Sequence, residues 1–265
     1  MTELHAYPDD EAYFADATRV SASMLKVYRR STALYHAKYV GGTLPPETTT
    51  RALEFGSAAH AAILEPDRLG EMVAVAPYCD RRTKAGREEF AAFEREHAGK
   101  AIITGPEHEQ LQRMVASVRR CSLARVLLDA ADRLIECPII WNDVETGLGC
   151  KAKPDLWLPQ IGAVVDLKTA TGVTAWEFAR SITQFGYWLS EAHYRAGTQA
   201  DRYVFLVVDK NPPFEVAVYE LDRPSVERAS IRWRETVNQL ATTLESGDWQ
   251  LQPREVTRLS LPEWI

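Results

Sequence analysis

Residues 149–168 read GCKAKPDLWLPQIGAVVDLK. Short apolar runs bounded by Pro and Gly make GCKAKPDLWL a strand, PQIG a turn and AVVDLK a further strand. Side chains alternate faces along a strand, so Asp166 and Lys168 project together while Val165 and Leu167 point into the core. Asp155 sits on the neighbouring strand. Two carboxylates so placed can share a divalent cation, and a lysine beside them can orient an attacking water or offset phosphate charge. Magnesium suits the set because it takes a few carboxylates and keeps water or phosphate oxygens as its other ligands. By spacing alone, the same residues also fit a strand-end aspartate and a solvated ion pair. The apolar run Ala163-Val164-Val165 leads directly into Asp166, however, and a carboxylate at the end of a buried strand calls for a cation.

Outward from this stretch, CPIIW precedes it as a strand starting near Glu136, with NDVETG as the connecting turn. After it, Thr174 and Glu177 have capping-box spacing and open a helix of about 20 residues to Arg195, with Gly197 as its stop. RYVFLVVD (202–209) and FEVAVYEL (214–221) are strands joined by KNPP, and Arg223-Pro224 opens a helix to Ser246. The order from residue 136 is βββαββα: an α/β fold with a mixed central sheet flanked by helices. Residues 21–135 read as mostly helical. Ser21 caps a helix to Tyr39, the loop 41–50 follows, and a helix over Arg51–Leu64 carries Gly56, Ala58, Ala59, Ala61 and Ala62. Pro77–Gly86 is irregular and precedes a helix to His97; Thr104 and Glu107 cap a helix to Arg119, and a short helix spans Leu123–Ala131. Residues 1–20 are expected to be irregular and 247–265 to form a tail, leaving one domain over 21–265.

The 265 residues are 46% hydrophobic and 26% charged, which excludes disordered, collagenous and coiled-coil classes. No apolar run approaches a membrane span, and the acidic start MTELHAYPDDEAYF lacks a secretory signal pattern, so a cytoplasmic location is expected. Cys79, Cys121, Cys137 and Cys150 show no CxxC or zinc-ligand spacing and read as reduced thiols. The net charge of −6 argues against a diffuse positive field for nucleic acid but leaves room for a local basic channel.

The chain resembles the PD-(D/E)xK nuclease superfamily, with its restriction-endonuclease-like core, and within it the RecE-like exonuclease VIII group of phages and prophages. The matching segments are SASMLK, FGSAAHAAILEP, RRTKAGREEF, IIWNDVETGLGCKAKPD, VVDLKT, GYWLSEAHYRAG and YVFLVVDKNPPFEV, spread from Ser21 to Leu221. The resemblance implies that His60, in Gly56-Ser57-Ala58-Ala59-His60, joins Asp155 and Asp166 as a metal ligand. It also implies that the Leu167 carbonyl adds a ligand and that Lys168 acts on the water. Glu136 lies where related nucleases often keep an acidic group. The helix after Lys168 usually carries Gln-x-x-x-Tyr in this group. Here Ser190 stands where Gln is expected and Tyr194 is retained, while Gln184 lies six positions too early. Tyr187, Glu191 and Tyr194 are expected on one helix face.

By this resemblance the chain is a magnesium-dependent exonuclease, with manganese able to substitute. The resemblance further implies that it degrades linear double-stranded DNA from 5′ ends, leaves 3′ overhangs for a RecT-like annealing protein and assembles as a homo-oligomeric ring. A catalytically weak DNA-binding accessory protein, favoured by Ser190, and an endonuclease with the same core remain as alternatives. Arg81, Arg82, Lys84 and Arg87, in the irregular stretch, are candidates for phosphate contacts or an ordinary solvated loop. Trp141, Trp157, Trp176 and Trp188 read mainly as packing residues, with stacking on a terminal base as the other use.

Overall fold

The structure, a computed structural model, describes residues 3–4, 7–44, 50–249, 258 and 260. Most of the expected C-terminal tail and residues 45–49 of the loop after Gly41 thus lie outside the described residues. No described helix is long and apolar enough to cross a membrane.

The acidic start is not wholly irregular. It holds a strand, β1 (Glu3–Leu4), and a helix, α1 (Asp10–Ala15), because the Asp9 side chain accepts from the Ala12 N–H and caps the first turn. Ser21 caps α2 (Ala22–Arg30) in the same way. That helix ends nine residues short of the expected Tyr39: Ser31 is extended, and its hydroxyl caps a new helix, α3 (Thr32–Tyr35), continued by a π-turn over His36–Val40. Then come α4 (Arg51–Leu64), with the expected bounds, α5 (Leu69–Met72), β2 (Val73–Val75), α6 (Lys84–Glu96), β3 (Ala101–Ile103), α7 (Gly105–Arg120) and α8 (Ser122–Leu128). β2 and β3 pair in parallel, so the helical first half also carries a small sheet. Thr104 and Glu107 form the expected capping box.

The second half runs β4 (Leu134–Ile135), β5 (Ile139–Asn142), β6 (Gly149–Ala152), β7 (Leu156–Leu158), β8 (Ala163–Ala170), α9 (Ala175–Gln184), α10 (Tyr187–Thr198), β9 (Arg202–Asp209), β10 (Val216–Tyr219) and α11 (Arg223–Ser246). A five-stranded mixed sheet has the order β10-β9-β8-β7-β4, with β8 and β9 parallel and its other pairs antiparallel. A three-stranded antiparallel sheet has the order β1-β5-β6. The run GCKAKPDLWL is therefore two strands in two sheets. The proline at 154 has no N–H for a ladder, and the chain changes sheet across Lys153-Pro154-Asp155.

The helix expected from Thr174 to Arg195 is likewise broken, at Gly186, which has φ +63°. Gly197 does not stop it. It lies inside α10, which ends at Thr198 and is capped by Gln199 in the left-handed region with φ +57°. The glycine serves packing: a Cβ there would lie 2.5 Å from the Trp141 ring.

Helices cover both faces of the larger sheet. Ala163, Val165 and Leu167 of β8 pack against the α4 alanines with Leu111 and Met114 of α7. Val164 and Phe205, on the opposite face, meet Phe178 and Ile182 of α9. A separate cluster joins Leu25 of α2, Leu189 of α10 and Trp233 and Leu240 of α11. The fold is thus a mixed central sheet flanked by helices, as the alternation of elements predicts.

Candidate metal centre and its cleft

Three carboxylates share one line across the larger sheet. Leu156 pairs with Val165 and Ile135 pairs with Leu156, so one residue further along each strand Glu136, Asp155 and Asp166 stand side by side. The Glu136 N–H donates to the Asp155 carbonyl at 3.2 Å, and Asp155 Oδ2 accepts from the Leu167 N–H at 2.7 Å. Glu136 has φ +46°, a left-handed conformation costly for a residue with a Cβ and found mainly where surrounding contacts hold it.

His60 reaches this line from α4. Small residues place it there: Ala58, Ala59, Ala61 and Ala62 are buried and let the helix lie close to the sheet, while Gly56, Ser57 and His60 face the cleft. No atom lies within 4 Å of where a Gly56 Cβ would be, so this glycine keeps the cleft open rather than admitting a neighbouring backbone. His60 Nδ1 is 3.6 Å from Asp155 Oδ1 and 3.7 Å from Glu136 Oε1. Ligand atoms of His60, Glu136 and Asp155 all lie within 4.8 Å of one another. Burial opposes a charge on His60, but Asp155 and Glu136 outweigh it and raise its pKa.

Asp166 stands beside this trio and is not one of the three mutually close groups. Its Oδ1 accepts from Lys168 Nζ at 2.6 Å; its Oδ2 is buried with no hydrogen-bond partner. Lys168 also donates to the Leu167 carbonyl at 3.3 Å. Burial works against the ammonium of Lys168, and Asp166 and Asp155 override it, raising its pKa. An unpartnered buried carboxylate oxygen beside a second aspartate is a site short of positive charge. Three carboxylates and a backbone carbonyl are the hard oxygen donors that a divalent cation takes, and an imidazole adds a nitrogen donor, so the residues present fit one.

The cleft around this cluster measures about 970 Å³. Lys153 Nζ ties its N-terminal wall to the centre, reaching Asp10 Oδ1 at 2.7 Å and Glu136 Oε2 at 3.0 Å. On α10, Tyr187, Ser190 and Tyr194 line the cleft, and the Tyr194 hydroxyl donates to the Lys153 carbonyl at 3.4 Å. Glu191, expected on the same face, turns instead toward Arg195 and Tyr203 on the far side of the helix. Gln184 is also away from the cleft, beside Trp176 and Arg180.

The basic stretch is not an array of free cations. Lys84 and Arg87 belong to the first turn of α6, and none of the four candidates lines the cleft. Arg81 lies over the Phe90 ring at 4.0 Å, Arg82 pairs with Asp80 at 3.0 Å, Lys84 is 3.8 Å from Glu88, and Arg87 donates to the Arg82 carbonyl at 2.9 Å. Trp141, Trp157 and Trp188 pack into apolar clusters, whereas Trp176 is exposed on α9.

Sequence reasoning misses Lys26. It lines the cleft from α2, over the Tyr187 ring at 5.4 Å, and burial lowers its pKa to about 8 despite the pull of Asp166. The signal was present only as the last residue of SASMLK, where a helical lysine reads as solvated.

The model of a family described as "PDDEXK-like domain of unknown function (DUF3799)" matches residues 21–253. Among solved structures, a candidate exonuclease from Eubacterium rectale is similar over 98% of this chain and 97% of its own, with 14% identity and a TM-score of 0.62. A phage-related exonuclease from Haemophilus somnus has 12% identity over 85% of this chain and 96% of its own, with a TM-score of 0.32. An alkaline exonuclease from Laribacter hongkongensis has 12% identity over 92% and 100%, also with a TM-score of 0.32. No curated protein matches the chain.

Proposed function

This chain belongs to the PDDEXK-like family, and we propose that it is a magnesium-dependent exodeoxyribonuclease that degrades one strand of linear duplex DNA from its 5′ end. The observation that carries the reading is the convergence of His60, on α4, with Glu136 and Asp155, which lie one residue outside β4 and β7, beside the unpartnered oxygen of Asp166. These four residues would hold the cation, with the Leu167 carbonyl beside them. When bound, a divalent cation supplies Lewis acidity at the scissile phosphate and lowers the pKa of an attacking water. Magnesium is favoured by the carboxylates, and manganese, which also accepts imidazole, should substitute.

The residues of the chain do the rest. Asp155, held by the Leu167 amide, and Glu136, held by Lys153, are fixed before substrate arrives. Lys168 keeps an ammonium next to Asp166, where it orients the water and offsets charge that builds on the phosphate. The 5′ polarity, the 3′ overhang, a RecT-like partner and a closed ring are carried by the resemblance to RecE-like exonucleases. A ring would hold a chain of net charge −6 on DNA by topology.

The test compares linear duplex with its covalently closed circular form in magnesium, using separate labels at the 5′ and 3′ ends. Loss of the 5′ label first, with the closed circle intact, is expected. Cutting of the circle would make the protein an endonuclease, and cleavage of neither form would make it an accessory protein.

A further inference from the structure

The cations of the cleft are distributed unevenly. Lys168 is paired with Asp166, Lys153 is shared between Asp10 and Glu136, and Arg68 bridges Glu65 and Glu71. His60 faces Asp155 and Glu136. Among the described residues lining the cleft, Lys26 is the cation that no carboxylate pairs.

Its position is fixed by packing rather than by charge. Met24, Leu25 and Tyr28 of α2 are buried against Leu189 and Ala192 of α10, which holds the helix against the cleft wall. The stem of Lys26 runs alongside Gly186, where a Cβ would lie 3.5–3.6 Å from its Cγ, Cδ and Cε. Its ammonium and that of Lys168 lie over the same Tyr187 ring, at 5.4 and 5.1 Å from the centroid. A half-buried ammonium without a counter-ion is costly, and the arrangement becomes favourable when an anion enters between it and Lys168. Asp166 is near enough to pull on Lys26 but forms no ion pair with it, its Oδ1 being taken by Lys168.

We propose that Lys26 is a substrate-binding residue whose ammonium takes a phosphate oxygen of the DNA strand, at the phosphate next to the one being cut. This rests on the nuclease reading above. The phosphate is either an internal one or the terminal 5′ phosphate, and the chemistry of the contact is the same.

The experiment measures binding of a dye-labelled linear duplex by fluorescence anisotropy in chelator over a series of salt concentrations, with 5′-phosphate and with 5′-hydroxyl ends. Lys26→Met keeps the apolar stem and removes the charge; Lys26→Gln serves if the methionine variant fails to fold. The variant should bind more weakly, with a log-log salt slope shallower by about 0.9, the value of one phosphate contact, and Lys26→Arg should restore most of it. A deficit confined to phosphorylated ends assigns the contact to the terminal phosphate, and an equal deficit on both ends assigns it to an internal one. If the wild type binds and cleaves DNA while the Met or Gln variant keeps its slope, the stem of Lys26 is only packing and the proposal falls. If the wild type binds no duplex, the nuclease reading falls and takes this inference with it.

Discussion

Glu136, Asp155 and Asp166 repel one another across neighbouring register positions, and each is restrained by a different group: Lys153, the Leu167 amide and Lys168. Asp166 is the least satisfied, with one oxygen buried and unpartnered. Asp166→Asn keeps the shape and removes a charge from a hard-cation site. It should abolish cleavage and weaken magnesium binding, while duplex binding survives or tightens as phosphate repulsion falls. Lys168→Ala leaves the carboxylates in place, so it should bind metal nearly normally and lose the chemical step by a factor on the order of 10² or more. A magnesium titration of cleavage separates the two. Recovery of the lysine variant to the wild-type rate at high magnesium would reduce Lys168 to a residue that assembles the metal site. At this scale, the strand alternation that pairs Asp166 with Lys168 was legible in the sequence, because period two is a local property. The closeness of Glu136 to His60 was not, since it depends on a left-handed residue and on strand register. Lys26 was less legible still: only the packing of α2 on α10 brings it to the cleft.

The elements whose bounds are set by local signals, α4, β9 and α11, match their sequence reading, and those whose bounds depend on tertiary context do not. Helix α10 shows why. Glycine within a helical pattern reads as a stop, but Gly197 is required by the Trp141 ring lying on the helix. Trp141 in turn packs at 4.8 Å against His193, whose Nδ1 accepts from the indole N–H of Trp233, so this contact joins the smaller sheet to α10 and α11. Gly197→Ala should therefore destabilise the protein by roughly 1–3 kcal/mol through overpacking, against a gain in helix propensity of at most about 1 kcal/mol. Chemical denaturation gives the sign. An alanine variant as stable as the wild type would mean that the indole moves aside freely and that the glycine has no packing role.

At the scale of the whole molecule, Glu191 is a costly buried charge outside the cleft among the described residues. It is 1% exposed, both its carboxylate oxygens lack hydrogen-bond partners, and burial raises its pKa from 4.5 to about 7 against the nearby Arg195. A folded-state pKa above the unfolded value means that folding favours the protonated form. Below about pH 4.5 the group is protonated in both states and its contribution is fully present. As pH rises toward 7 the unfolded chain gives up the proton first, so stability falls, and above 7 the loss is complete. A shift of this size corresponds to about 3 kcal/mol. Glu191→Gln removes the titration and retains the shape. The stability of the variant minus that of the wild type should therefore climb by about 3 kcal/mol between pH 4.5 and 8, whatever the absolute cost of burying the amide. Urea unfolding at a series of pH values supplies both curves, and background titrations shared by the two proteins cancel in the difference. A flat difference would mean that solvent or a cation already satisfies Glu191 in its pocket with Tyr203, and that the acid branch of the stability profile is governed by other groups.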